Sequence, residues 1–241
     1  MTLLQRCARL RQPEAGSAGD PRIGLREMTE PPRIAWGGKS LYGARVGILM
    51  LETRFPRLPG DMGNAETWPF PVIYKVVPGA SPSRVVCDKA EGLLDEFLAA
   101  AGELVRLGAD GVTTTCGFLS LYQREISAHV GVPVATSSLM QIPLIERALP
   151  PGKRVGVLTV SAANLTEQHL LAAGHALVTS HPDVGAVLLE CTNMVPYARA
   201  LSERLRLPVF SIYTFVTWFQ AGLVPRDFGH PASALREWRE R

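Results

Sequence analysis

Two of the four cysteines in this 241-residue sequence sit where a thiol could do chemistry. Cys116 falls near the end of Gly111-Val-Thr-Thr-Thr-Cys-Gly117, and Cys191 near the end of Gly185-Ala-Val-Leu-Leu-Glu-Cys-Thr-Asn193. Each run reads as a short buried strand that leaves the core on a polar turn. Apolar residues near helical spacing follow: Phe118, Leu119, Leu121, Tyr122, Ile126 and Val130 after the first, Tyr197, Leu201 and Leu205 after the second. A thiol just ahead of a helix meets unpaired N–H groups and the positive end of the macrodipole, and both favour the thiolate. Polar side chains gather nearby. Thr114, Thr115, Ser137, Ser138, Thr159, Ser161, Thr192 and Asn193 fall at or near the ends of predicted strands. There they could bind a carboxylate together with backbone N–H groups. Turn chemistry and helix capping compete for about half of that set. Asn164 reads as an N-cap, and Cys7 and Cys87 read as small buried hydrophobes. Strand alternation points Glu190 away from Cys191, as a structural partner; nearer the thiol it would keep that thiol protonated.

The elements that must position these cysteines form an internal repeat. Pro133 lies 17 positions after Cys116, and Pro208 lies 17 after Cys191. Each proline opens a strand, Val132-Pro-Val-Ala-Thr136 and Leu207-Pro-Val-Phe-Ser211. Upstream, Arg45-Val-Gly-Ile-Leu-Met50 matches Arg154-Val-Gly-Val-Leu-Thr159. Strands alternating with helices predict an α/β fold with parallel sheets. The expected order is a mobile extension (1–40), a first lobe (41–150), a second lobe (151–229) and a polar tail (230–241). Lobe one should hold strands at Val46–Leu51 and Val72–Val77, a long ordered cover loop at Glu52–Pro71 and helices at Val86–Leu107 and Leu139–Leu149. Lobe two should hold a helix at Leu165–Ser180.

Composition narrows the function. Residues 1–40 hold seven Lys or Arg and four acids, which leaves 18 charges of each sign for the rest. A neutral body without a basic stripe argues against nucleic acid as the main partner. Residues 207–225 carry no charge, yet Ser211, Thr214, Thr217, Gln220 and Gly222 make them a buried strand and helix rather than a membrane span. The first ten residues lack the apolar core of a secretory signal, and the acids after Arg6, Arg9 and Arg11 argue against a presequence. The thiols are therefore expected to be reduced and the chain cytoplasmic. Gly37-Gly-Lys-Ser40 echoes the end of a phosphate loop, but Arg33 stands where that motif needs glycine. The histidines show no metal spacing, and His169 and His175 read as surface residues on a helix. No lysine sits in a recognisable cofactor setting. Neither a metal nor a cofactor is expected.

The two cysteine units, with Gly43-Ala-Arg-Val-Gly-Ile-Leu-Met-Leu-Glu52, Pro59-Gly-Asp-Met-Gly-Asn64 and Leu189-Glu-Cys-Thr-Asn-Met194, resemble the aspartate/glutamate/hydantoin racemase superfamily from about residue 37 to 229. The resemblance implies two pseudo-symmetric lobes, each a parallel sheet flanked by helices, with the active site in the cleft between them. It also implies cofactor-independent chemistry, in which one thiolate takes the α-proton and a thiol on the other face returns one. Cys116 and Cys191 take those roles, and Thr115 and Thr192 help to hold the substrate carboxylate. Inverting a stereocentre needs acid–base groups on both faces, and thiols serve both ways. The expected activity is an isomerase, a racemase of a small amino acid or derivative. The alternatives are a decarboxylase or isomerase of a small dicarboxylate and a catalytically inactive binding protein. Arg54 or Arg57 is the candidate for a distal carboxylate. From Arg154 to Cys191 is 34 positions shorter than from Arg45 to Cys116, so lobe two should lack a counterpart to the cover loop and to strand Val72–Val77. That loss makes Val155–Val160 an edge strand, so either a homodimer covers it or the protein is prone to aggregate.

Overall fold

The computed structural model describes residues 39–159 and 165–226. The expected extension, apart from its last two residues, and the expected polar tail lie outside these, as do Cys7, Ser161 and Asn164. Four parallel strands form the first sheet: β1 (Val46–Met50), β2 (Val72–Val76), β3 (Gly111–Thr114) and β4 (Val134–Ala135), in the order β2-β1-β3-β4. Three parallel strands form the second: β5 (Arg154–Leu158), β6 (Val184–Leu189) and β7 (Val209–Phe210), in that order. The cysteine strands β3 and β6 are interior in their sheets, with all of β3 and most of β6 buried. Val, Leu and Thr runs with no polar alternation suit strands covered on both faces.

The helices supply that cover. On one face of the first sheet, α2 (Leu94–Leu107) and α3 (Gln123–Val130) bury Phe97, Ala101, Leu104 and Ile126 against Leu49 and Val112. On the second sheet, α5 (Glu167–Ser180) and α6 (Ala198–Leu205) bury Leu170 and Leu201 against Leu158, Val187 and Leu189. The remaining faces are covered reciprocally. Helix α4 (Ile142–Ala148) follows β4 in sequence but packs Ile145 on Ala186 and Leu188 of β6. Helix α7 (Ile212–Leu223) follows β7 but packs Ile212, Phe215 and Val216 on Val46, Ile48 and Ala135 of the first sheet. Gly111 permits the approach of α7, since a Cβ there would lie 2.6 Å from the Phe219 ring. Each lobe thus lends the other a helix.

The single helix expected over Val86–Leu107 is two, α1 (Pro82–Val86) and α2. Between them Lys89 and Ala90 adopt left-handed φ angles of 53° and 58°. Buried Ala90 is fixed there by the Tyr122 hydroxyl, which donates to its carbonyl at 2.6 Å. A tertiary bond overrides a stretch of good helix formers. Residues 209–223 form a strand and a helix, and among the described residues no helix is long and apolar enough to cross a membrane.

Candidate active site

The two cysteines arrive at the site by the same local route. Each follows an interior strand, caps a 3₁₀ turn (Gly117–Tyr122 or Thr192–Tyr197) and leads through it into α3 or α6. Two backbone bonds hold the strand ends: Thr115 N–H donates to Leu49 and Glu190 N–H to Leu158, each at 2.9 Å. The lobes are then joined at this level. Thr192 Oγ1 donates to the Thr115 carbonyl at 2.8 Å, and Ser138 Oγ donates to the Leu189 carbonyl at 2.8 Å.

A cavity of about 590 Å³ opens above this junction, a volume suited to a small molecule. Thr115, Cys116, Gly117, Glu190, Cys191, Thr192 and Asn193 line it from the strand ends. Leu51, Phe55 and Arg57 line it from the cover loop, and Val86 and Cys87 from α1 and its cap. The cover loop is ordered by its own bonds. Arg57 pairs with buried Asp61 at 2.7 Å, donates to Thr53 Oγ1 at 2.6 Å and lies 4.4 Å over the Phe55 ring. Asp61 also accepts from Gly63 N–H at 2.7 Å, and Tyr74 and Trp68 both donate to the Met62 carbonyl.

Of the residues singled out in the sequence, Cys116, Cys191, Thr115, Thr192 and Asn193 come together in this cavity. The others do different work. Thr114 donates to the Thr136 carbonyl at 2.7 Å and accepts from Cys116 N–H, so it shapes the turn. Ser137 caps the 3₁₀ turn that leads into α4 through Leu139 N–H. Thr159 is exposed and donates to Glu190 Oε2 at 2.9 Å. Arg54 is exposed and does not line the cavity; Arg57, three residues on, does. The N-cap of α5 is Thr166, whose hydroxyl accepts from His169 N–H. Cys87 is exposed rather than buried, because α1 ends before the residue is carried into the core.

β6 ends at Leu189, so strand alternation no longer governs the next side chain. Glu190 keeps its structural partner, Thr159, and also reaches the cavity and both thiols. Burial pushes its own carboxyl above the usual range, against the Thr159 hydrogen bond.

The thiols depart from the expected thiolate preference. The turn N–H groups do act on them, Phe118 and Leu119 at Cys116 and Asn193 at Cys191. Loss of solvent outweighs those bonds, and the negative field of Glu190 adds to it. Cys116 is pushed up to about 11 and Cys191 to about 12. Both are therefore thiols at neutral pH. Among the described residues no group of three or more His, Cys, Asp or Glu is placed to hold a metal ion.

No family model matches the chain. A liganded double mutant of arylmalonate decarboxylase superposes with a TM-score of 0.57 at 15% identity, covering 78% of this chain and 96% of that one. Aspartate and glutamate racemases also match, at TM-scores of 0.41 to 0.46. The likeness to arylmalonate decarboxylase shows a shared α/β fold of parallel sheets flanked by helices. Curated relatives point to different chemistry. A dimethylsulfoniopropionate lyase of Durusdinium sp. clade D is 22% identical over 241 residues, 81% of this chain and 79% of its own. Dimethylsulfoniopropionate lyase 7 of Emiliania huxleyi is 23% identical over 244 residues, 80% of this chain and 70% of its own. These relatives overturn the racemase activity and the isomerase class expected from the resemblance.

Proposed function

We propose that the chain is a lyase that releases a sulfide from a β-sulfonium carboxylate of the dimethylsulfoniopropionate kind. The observation that carries the reading is a cavity with two half-buried thiols beside backbone N–H groups, in a chain whose curated relatives are lyases over four-fifths of its length. A thiolate takes the proton from the carbon next to the carboxylate. The electron pair left behind forms the carbon–carbon double bond, and the bond to sulfur breaks. Dimethyl sulfide departs as a neutral molecule, acrylate remains, and the proton stays on the thiol. The leaving group needs no proton, so a single base completes the reaction.

The groups around the thiols suit this step. The Thr115 hydroxyl, the Thr192 N–H and the Asn193 side-chain amide hold the carboxylate, where negative charge builds as the proton leaves. Leu51, Phe55, Val86 and Phe118 provide apolar walls for the methyl groups. The chemistry draws on these side chains alone, without a cofactor, and its free thiols suit a reducing compartment such as the cytoplasm. Proton NMR of dimethylsulfoniopropionate incubated with the protein tests the reading. Acrylate and dimethyl sulfide should appear in equal amounts. A folded protein that leaves the substrate intact would overturn it.

A further inference from the structure

Building on the lyase reading, we infer that Glu190 is the cation subsite of the cavity and selects a substrate whose departing group carries positive charge. Among the described lining residues Glu190 supplies the only carboxyl, and 6% of the residue is exposed. Asp61, the other acid nearby, is already paired with Arg57 and does not line the cavity. Among the described residues Glu190 has no cationic partner; its side chain accepts from the Thr159 hydroxyl, on Oε2. A buried carboxyl without a counter-charge is costly, and a positively charged ligand removes that cost.

The surroundings are shaped for this side chain. Gly117 makes room for it: a Cβ there would lie 2.0 Å from Glu190 Oε1. The carboxyl acts on both thiols, so a cation bound beside it lies close to the base as well. The positive charge then favours the thiolate at the moment when the substrate is in place. An aromatic ring completes the subsite. The Phe55 ring already carries the Arg57 guanidinium, whereas Phe118 lines the cavity and is 38% exposed. Its face is suited to a sulfonium. Arg57, the one cationic group among the described lining residues, is already paired with Asp61, so the carboxylate is left to the groups at the strand ends.

Calorimetric titration with two carboxylates of matching shape tests the inference. One is 3-(trimethylammonio)propionate, which keeps the positive charge but has a far poorer leaving group. The other is 4,4-dimethylpentanoate, which is neutral at that end. The unaltered protein should bind the cationic compound at least about tenfold more tightly, the scale of one desolvated charge contact. Glu190→Gln should bring the two within about threefold while the neutral compound binds as before. Should that variant fail to fold, Thr159→Val, altered outside the cavity, carries the test and should narrow the ratio. No preference in the unaltered protein, or an unchanged ratio in the variants, would overturn the inference. Preference for the cation without sulfide release would sink the lyase reading and leave the subsite standing. Sulfide release with an unchanged ratio would do the reverse.

Discussion

The thiols at the strand ends are set against ionisation in the free protein, and that has a kinetic signature. Burial and the Glu190 field hold Cys116 at about 11 and Cys191 at about 12. The base form is the thiolate, so the fraction of free protein ready to react grows as pH rises toward those values. kcat/KM, which reports the free protein, should climb roughly tenfold per pH unit between about 7 and 9. Stopped assays across that range check it; a flat profile would show that some other group is the base. Thr192 offers a second test. Its buried hydroxyl donates across the lobes to the Thr115 carbonyl, and Thr192→Val leaves that oxygen unpaired. Urea unfolding should show a loss of about 1–3 kcal/mol. The cysteines themselves were legible, since identical 17-residue spacings to a proline marked both. Their protonation was not, because sequence records a helix start nearby but not how much water is excluded.

The strands, the turns after them and most helices follow from apolar period and punctuation, and here sequence and structure agree closely. They part where a distant residue decides. The break between α1 and α2 depends on the Tyr122 hydroxyl reaching Ala90, 32 positions away. Glu190 enters the cavity because β6 stops one residue earlier. Arg57 rather than Arg54 lines the cavity because it is held by Asp61 and Thr53. Gly117 gives a direct test at this scale. A Cβ there would meet Glu190 Oε1 at 2.0 Å and the Glu190 carbonyl at 2.7 Å. Backbone cannot yield as a flexible side chain does, so Gly117→Ala should destabilise the fold by about 1–3 kcal/mol. Sulfide release should fall as the strand ends are pushed apart. Thermal melts and headspace assays on the same preparation check both; a variant unchanged in each would contradict the packing described.

The described residues form two lobes of unequal size that exchange helices over a common cavity. The 34-residue deficit of the second lobe appears as one strand fewer, with β5 at the edge and Val157 40% exposed. Among the described residues no strand pairs with that edge. We propose that a second copy of the chain covers it. Light scattering should give a dimer, and Val157→Lys should shift it toward monomer, because a charge on an edge strand discourages pairing. A native monomer whose β5 amides exchange rapidly would contradict this. The reaction class was the part least open to reading from sequence. Removal of a proton beside a carboxylate begins racemisation and elimination alike. The outcome depends on the group carried by the neighbouring carbon, which belongs to the substrate and not to the chain.

The central claim is that a cavity thiol starts the elimination. Dimethyl sulfide released by the unaltered protein and by Cys116→Ser, Cys191→Ser and the double variant, measured in the headspace at equal protein concentration, tests it most directly. Because elimination asks for one base, one single variant should fall by about 10²–10⁴-fold while the other retains measurable release. The double variant should match the more damaged single. Release at the unaltered rate from the double variant would contradict the account.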